Sequence, residues 1–265
     1  MSATRSLRPA HLVALLLVTV LAACAPGPAP TPTPVASTSA TAPGTATATA
    51  TPTATPPATS GPVIQIDSPM ADARVTVPVT ASGTANTFEA ALTLQLLTEA
   101  GDTLCVRHIM ATSGSGTEGA WQTDLAFVPP DSDQPALLRA YELSAEDGSQ
   151  INVVEVPVVV TPERPPIIIV TPVCGDTVAP GGQIAVTGRA QVFEAQFTLE
   201  LRDAAGTAVL SQEVTAESGT EESNFSALLT VPADLPGGFY DLVGYDTSAK
   251  DGSVQYEFPV QVLVQ

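Results

Sequence analysis

The feature that most constrains this chain is that it is written twice. Val79, Gly83, Ala85, Phe88, Glu89 and Ala90 stand at the same spacing as Ile184, Gly188, Ala190, Phe193, Glu194 and Ala195, so GxAxxFEA occurs at two places about 105 positions apart. Leu92-Thr93-Leu94-Gln95-Leu96 then matches Phe197-Thr198-Leu199-Glu200-Leu201, and Ser144-Ala145-Glu146-Asp147-Gly148-Ser149 matches Ser248-Ala249-Lys250-Asp251-Gly252-Ser253. A repeat of that length is a whole small domain, so the chain must fold into one architecture two times over.

Each copy reads as about seven short strands. In the first they fall near Val63–Asp67, Arg74–Ala81, Phe88–Leu97, Leu104–Met110, Trp121–Phe127, Leu137–Leu143 and Ile151–Val160. Alternation is plain in Val75, Val77, Val79, in Phe88, Ala90, Leu92, Leu94, Leu96, and in Val154, Val156, Val158, Val160, so one face of each strand is to be buried and the other wetted. Turn residues separate the strands: Ala100-Gly101-Asp102 and Ala205-Gly206-Thr207 after the FEA strand, Asp147-Gly148 and Asp251-Gly252 before the last one. The expected fold class is all-β, two tandem immunoglobulin-like β-sandwiches at 62–161 and 165–265. Pro157 and Pro259 fall inside the last strands, where a missing amide hydrogen is tolerated only at an edge or a bulge. Thr161-Pro162-Glu163-Arg164-Pro165-Pro166 joins the copies as a short, proline-stiffened link.

Three segments, Ser68-Pro69 or Thr171-Pro172 after the first strand, GxAxxFEA, and the SAxDGS turn, carry a resemblance to the immunoglobulin-like domain of bacterial spore germination, also called a GerMN-associated domain. The resemblance covers nearly all of residues 63 to 264. It implies an extracytoplasmic sandwich module without catalytic residues, and it implies nothing about sporulation.

The first sixty residues obey different rules. Arg5 and Arg8 precede an apolar run from Leu12 to Ala23, the charged and hydrophobic regions of a secretory signal at 1–23, too short for a stable membrane span. Leu21-Ala22-Ala23-Cys24 resembles the lipobox of bacterial lipoproteins, which implies lipidation at Cys24 and attachment to a membrane through the acyl chains. Ala25 follows the cysteine, so no Asp-type inner-membrane retention signal is present there. From 24 to 61 the chain, Cys24 and Val35 apart, is Pro, Thr, Ala, Ser and Gly with no charge, and such a stretch buries too little surface to offset the entropy of ordering it. It is expected to be a disordered stalk, reaching on the order of 100 Å if fully stretched.

Charge removes one class of partner. Beyond Arg5 and Arg8, seven basic residues face 27 acidic ones. Nucleic-acid binding needs a basic stripe to displace counterions, so no nucleic acid is expected.

The residues that could carry chemistry are few and scattered. Glu89 and Glu194 occupy matched positions but belong to separate domains; each follows a Phe expected to point inward, and a structural role is expected for both. His108 is the only histidine beyond the signal, its place in the second copy falls to Gln212, and it is expected at the surface, which leaves neither a hydrolytic triad nor a zinc cluster. Asp131-Ser132-Asp133 offers alternating carboxylates without the longer oxygen runs of calcium loops. Trp121 aligns with Phe225 and shares alternation with Leu125 and Phe127; it is assigned to the core, which counts against sugar stacking on an exposed aromatic. Cys105 and Cys174 have no cysteine in the sister repeat. They are expected to be isolated thiols, because Cys174 should lie at the end of its first strand away from the link; a bond across the domains or to another chain is the alternative in an oxidising compartment.

No catalytic residue, metal or cofactor is expected. The expected role is a surface-displayed lipoprotein, held to the membrane at Cys24, whose domains bind an envelope or surface protein. The alternative is a spacer or assembly factor of the envelope without a dedicated ligand.

Overall fold

The structure is a computed structural model that describes residues 63–265. The signal segment, Cys24 and the Pro/Thr/Ala-rich stretch to Gly61 lie outside the described residues.

The first half forms β1 (Ile64–Ser68), β2 (Ala73–Val75), β3 (Val79–Ala85), β4 (Ala91–Thr98), β5 (Thr103–Met110), β6 (Gly119–Leu125), β7 (Gln134–Leu143) and β8 (Gln150–Val160). The second forms β9 (Ile167–Thr171), β10 (Thr177–Val178), β11 (Gln183–Ala190), β12 (Gln196–Arg202), β13 (Ala208–Thr215), β14 (Ser223–Thr230), β15 (Gly238–Thr247) and β16 (Val254–Val264). In the first half a three-stranded sheet, β1-β3-β6, faces a five-stranded one, β2-β8-β7-β4-β5. The second repeats this as β9-β11-β14 facing β10-β16-β15-β12-β13. The chain is therefore two tandem immunoglobulin-like β-sandwiches.

Alternation does the packing. In β3 Val79, Ala81 and Ala85 are buried while Thr80 is exposed; in β11 Ile184, Val186 and Ala190 are buried while Gln183, Ala185 and Thr187 are exposed. Leu94, Leu96, Leu125 and Leu138 close the first interior; Leu199, Leu201, Leu229 and Phe258 close the second. Trp121 and Phe225 lie in these cores, at 4% exposure each. Tyr240 Oη donates to the Pro236 carbonyl at 3.0 Å, pinning the turn that enters β15.

Two strand expectations need correction. The single strand expected at Arg74–Ala81 is divided: Ala73–Val75 pairs in parallel with β8, and Val79 onward pairs with β1 and β6 in the other sheet. Pro78, with no amide hydrogen, stands at the crossing between the sheets. The strand expected from Phe88 begins instead at Ala91, because Phe88–Ala90 is a 3-10 turn in which Glu89 and Ala90 have left-handed φ values of 54° and 61°.

The last strands place their prolines at edges. The parallel strand β2 covers β8 only from Val158 to Val160, so Pro157 sits just beyond the paired stretch; β10 likewise covers β16 only at Leu263 and Val264, beyond Pro259.

Candidate functional site

The repeated GxAxxFEA segment is a corner built for shape. Gly83 lies over Trp121 and under the Gln65 carbonyl; a Cβ there would stand 2.0 Å from that oxygen and 2.7 Å from the indole. Gly188 lies in the same way between the Ile168 carbonyl and Phe225, at 2.1 and 2.5 Å. Two residues beyond each glycine a buried alanine fills the core, and the chain then turns through the FEA triplet, with Glu194 and Ala195 at φ 56° and 60° in the second copy. A loop glycine backs each turn: a Cβ on Gly114 would be 2.5 Å from Ala90 N, and one on Gly219 2.7 Å from Ala195 N. These loop glycines are legible in the sequence as Ser113-Gly114 and Ser218-Gly219, a further pair at the repeat spacing.

The left-handed turn sends the phenylalanines outward. Phe88 is 62% exposed and Phe193 70%, which corrects the expectation that both point into the core. The alternation of the sequence runs through Phe88, but φ 54° at Glu89 breaks the pleat before the strand begins. Glu89 and Glu194 are exposed in separate sandwiches, and Glu89 N donates to Ser115 Oγ at 3.0 Å.

Beyond this point the two corners differ. In the first, Glu142 on β7 accepts the Phe88 N–H at 2.7 Å through one carboxylate oxygen and the Asn152 side chain at 2.9 Å through the other. Its counterpart Asp246 is one methylene shorter and accepts instead from Thr247 N at 2.7 Å and Gln255 Nε2 at 3.0 Å. A recess of about 270 Å³ opens beside Phe193, lined by Glu194, Thr198, Glu213, Asp246 and Gln255.

The second feature is the joint between the sandwiches. Cys105 on β5 and Cys174, just past β9, form a disulfide with Cα atoms 5.1 Å apart, which corrects the expectation of two isolated thiols. That expectation placed Cys174 at the end of its first strand away from the link, and so away from the first domain. Instead β5 lies against β15 and β16, so the end of β9 away from the link is the end that meets the first domain. Arg107 is buried there and donates through Nη2 to both Asp241 carboxylate oxygens at 2.8 Å, and through Nη1 to the Pro259 carbonyl. Gln261 accepts the His108 N–H at 2.7 Å and donates to the His108 carbonyl at 3.0 Å, so one side-chain amide pairs with this edge as a neighbouring strand would.

His108 is not a plain surface residue. Its ring stacks on Phe239 with centroids 4.3 Å apart, Nδ1 lies 3.0 Å from Thr93 Oγ1, and burial pushes its pKa below the usual value. The strand register also corrects its counterpart: His108 pairs with Thr93 as Glu213 pairs with Thr198, so Glu213 and not Gln212 holds its place.

The arginines of both domains are spent on carboxylates. Arg74, Arg107, Arg139, Arg164, Arg189 and Arg202, the arginines of the described residues, all sit in ion pairs. The Arg74 guanidinium takes both Asp133 oxygens and holds that carboxyl below its ordinary pKa, so the Asp131-Ser132-Asp133 loop is occupied by an arginine. Among the described residues no group of three His, Cys, Asp or Glu side chains is placed to hold a metal ion, and no helix is long and apolar enough to cross a membrane.

The family model described as the immunoglobulin-like domain of bacterial spore germination matches residues 63–149 and again 166–253. No curated protein matches the chain. Similar solved structures include fibronectin(III)-like modules of Clostridium thermocellum CbhA, with 12% identity over 76% of this chain and 94% of that one at a TM-score of 0.26. The Ig1-2 module of the Drosophila receptor protein tyrosine phosphatase DLAR matches with 13% identity over 76% and 98% at 0.23. Latent PorU from Porphyromonas gingivalis matches with 14% identity over 77% of this chain but only 24% of its own length at 0.27. Scores at this level carry nothing about function.

Proposed function

Because the chain belongs, in both its halves, to the family of the immunoglobulin-like domain of bacterial spore germination, we propose that it is a non-catalytic envelope lipoprotein that displays two interaction domains. The observation that carries this reading is the pair of exposed phenylalanines, Phe88 and Phe193, held at the same rigid corner of both copies. A large aromatic ring left in water at a matched position costs hydrophobic free energy in each domain, and aromatic anchors are the residues that dominate binding surfaces. Attachment at Cys24 and the stalk that follows supply the display, supported by the Leu21-Ala22-Ala23-Cys24 motif.

The test is retention of an envelope component by the full chain immobilised on beads. The wild type is expected to retain it, and the variant carrying Phe88→Ser and Phe193→Ser is expected to lose it. Equal retention by both sinks the reading. Cys24→Ser is expected to move the protein from the membrane fraction to the supernatant.

A spacer role is favoured by the joint, where a covalent bond and a part-buried ion pair fix two domains that a binder needs only to tether. Shortening the stalk separates the two: a spacer loses function with length, whereas a binder tolerates it.

A further inference from the structure

We propose that the recess beside Phe193 in the second sandwich binds a neutral saccharide. This deepens the interaction role and rests on it, since it names the ligand class of one of the two corners.

The first sandwich shows what the second is missing. There the Glu142 carboxylate fills the corner and accepts the Phe88 N–H. Asp246 stands at the same place on its strand, in Tyr245-Asp246 against Tyr141-Glu142, but its carboxylate is turned onto Thr247 N and Gln255. No described side chain accepts the Phe193 N–H, and a recess opens between Phe193, Asp246 and Gln255. A ligand in the recess can supply an acceptor to that N–H, as Glu142 Oε1 does for Phe88.

The walls narrow the choice. Glu194, Glu213 and Asp246 line the recess and no lysine or arginine does, so a carboxylate or phosphate ligand meets three negative charges. An ammonium group or a metal cation suits the carboxylates but has no lone pair for the Phe193 N–H. A purely apolar ligand leaves both the donor and the carboxylates unmet. A hydroxyl satisfies each side at once, accepting from the N–H while donating to a carboxylate in a charge-assisted bond. Several hydroxyls on a ring with one flat C–H face describe a sugar, and the exposed Phe193, which lines the recess, supplies an aromatic surface for those C–H bonds. At about 270 Å³ the recess is smaller than ordinary drug-sized pockets and takes about one ring unit.

The outward Phe193 is what restores this possibility. With Trp121 in the core, Phe193 is the exposed aromatic that a sugar platform needs.

The experiment follows the Phe193 and Phe88 amide signals of the ¹⁵N-labelled full chain during titration with neutral methyl glycosides of glucose, mannose, galactose and N-acetylglucosamine. At least one glycoside is expected to shift the Phe193 amide and the Gln255 side-chain amide saturably, with a Kd on the order of millimolar for so small a contact, and to leave Phe88 unmoved. Asp246→Glu, which writes the first copy's residue into the second, is expected to weaken binding at least tenfold with the fold intact, as is Phe193→Ala. Glu142→Asp is expected to open the first corner, so that the Phe88 amide begins to respond. Absence of a saturable shift with every glycoside, or a response that persists in Asp246→Glu, overturns the proposal. So does binding of glucuronate or methylammonium as tight as that of the neutral sugar. A chain that takes no sugar but still retains an envelope component through Phe88 and Phe193 refutes the saccharide alone; one that does neither also removes the interaction role.

Discussion

In the first sandwich the edge strand β5 is covered by the second domain, while its twin β13 in the second sandwich pairs only with β12 among the described strands. The residues responsible are not those of the repeat. Cys105, Arg107 and His108 correspond by register to Leu210, Gln212 and Glu213, and their partners Asp241, Pro259 and Gln261 to Leu137, Glu155 and Pro157. The fold is thus written by what the two copies share, whereas the joint is written by about half a dozen positions at which they differ. β13 carries none of the groups that dock β5. The corners follow the same logic, alike in their glycines and alanines and unlike at Glu142 and Asp246.

The disulfide is where this contrast should break hardest. It closes a separation of 69 residues, for which loop entropy gives about 4 kcal/mol. Cys105→Ser, or reduction of the wild type, is expected to lower the unfolding midpoint and to split one calorimetric transition into two, since the remaining joint rests on Arg107 and its neighbours. An unchanged thermogram would mean that the domains are coupled by something else.

The shared glycines test the other half of the comparison. Gly83→Ala and Gly188→Ala each push a methyl into a carbonyl oxygen and an aromatic ring, at a cost of about 3 kcal/mol. Denaturant midpoints should fall alike in the two single variants. A difference much above about 1 kcal/mol would show that the glycines do not play one role.

How much of this was legible follows the same division. The sandwiches, the turns, the Trp121 and Phe225 cores and the edge placement of Pro157 and Pro259 were readable, because alternation, turn residues and repetition are local signals. The disulfide was not, since two unmatched cysteines carry no information about how the domains meet. The outward Phe88 and Phe193 were hidden for a different reason. A phenylalanine two positions before a buried alanine looks like part of its strand, and only the backbone reveals that Glu89 and Glu194 turn left-handed in between. The paired Ser-Gly at 113 and 218 was the available clue, since a glycine packed on a turn marks a tight corner.

A smaller effect comes from His108. Its pKa is lowered by burial against the joint, so the folded state takes up its proton less readily than the unfolded chain does. Stability from this group is therefore complete above the unfolded value of about 6.5 and declines as pH falls below it. The joint is expected to lose stability on acidification from about pH 6.5 toward about pH 5. His108→Gln should flatten that part of the pH profile of the urea midpoint, and an unaltered slope would show that carboxylates alone set it.

The smallest expected effect separates the outward reading of the phenylalanines from the inward one. A core phenylalanine cut to a small side chain costs about 3–5 kcal/mol, whereas a substitution on the surface stays within about 0.5 kcal/mol. Phe88 and Phe193 are exposed rings whose backbone is held independently, by Ala90 N to the Thr87 carbonyl and Ala195 N to the Val192 carbonyl. Phe88→Ser and Phe193→Ser should therefore leave the unfolding midpoint almost where it was in either copy. A loss of several kcal/mol in one would place that ring in its core and remove the platform on which the saccharide site depends. A loss in both would return the FEA triplet to the strand that the alternation alone describes.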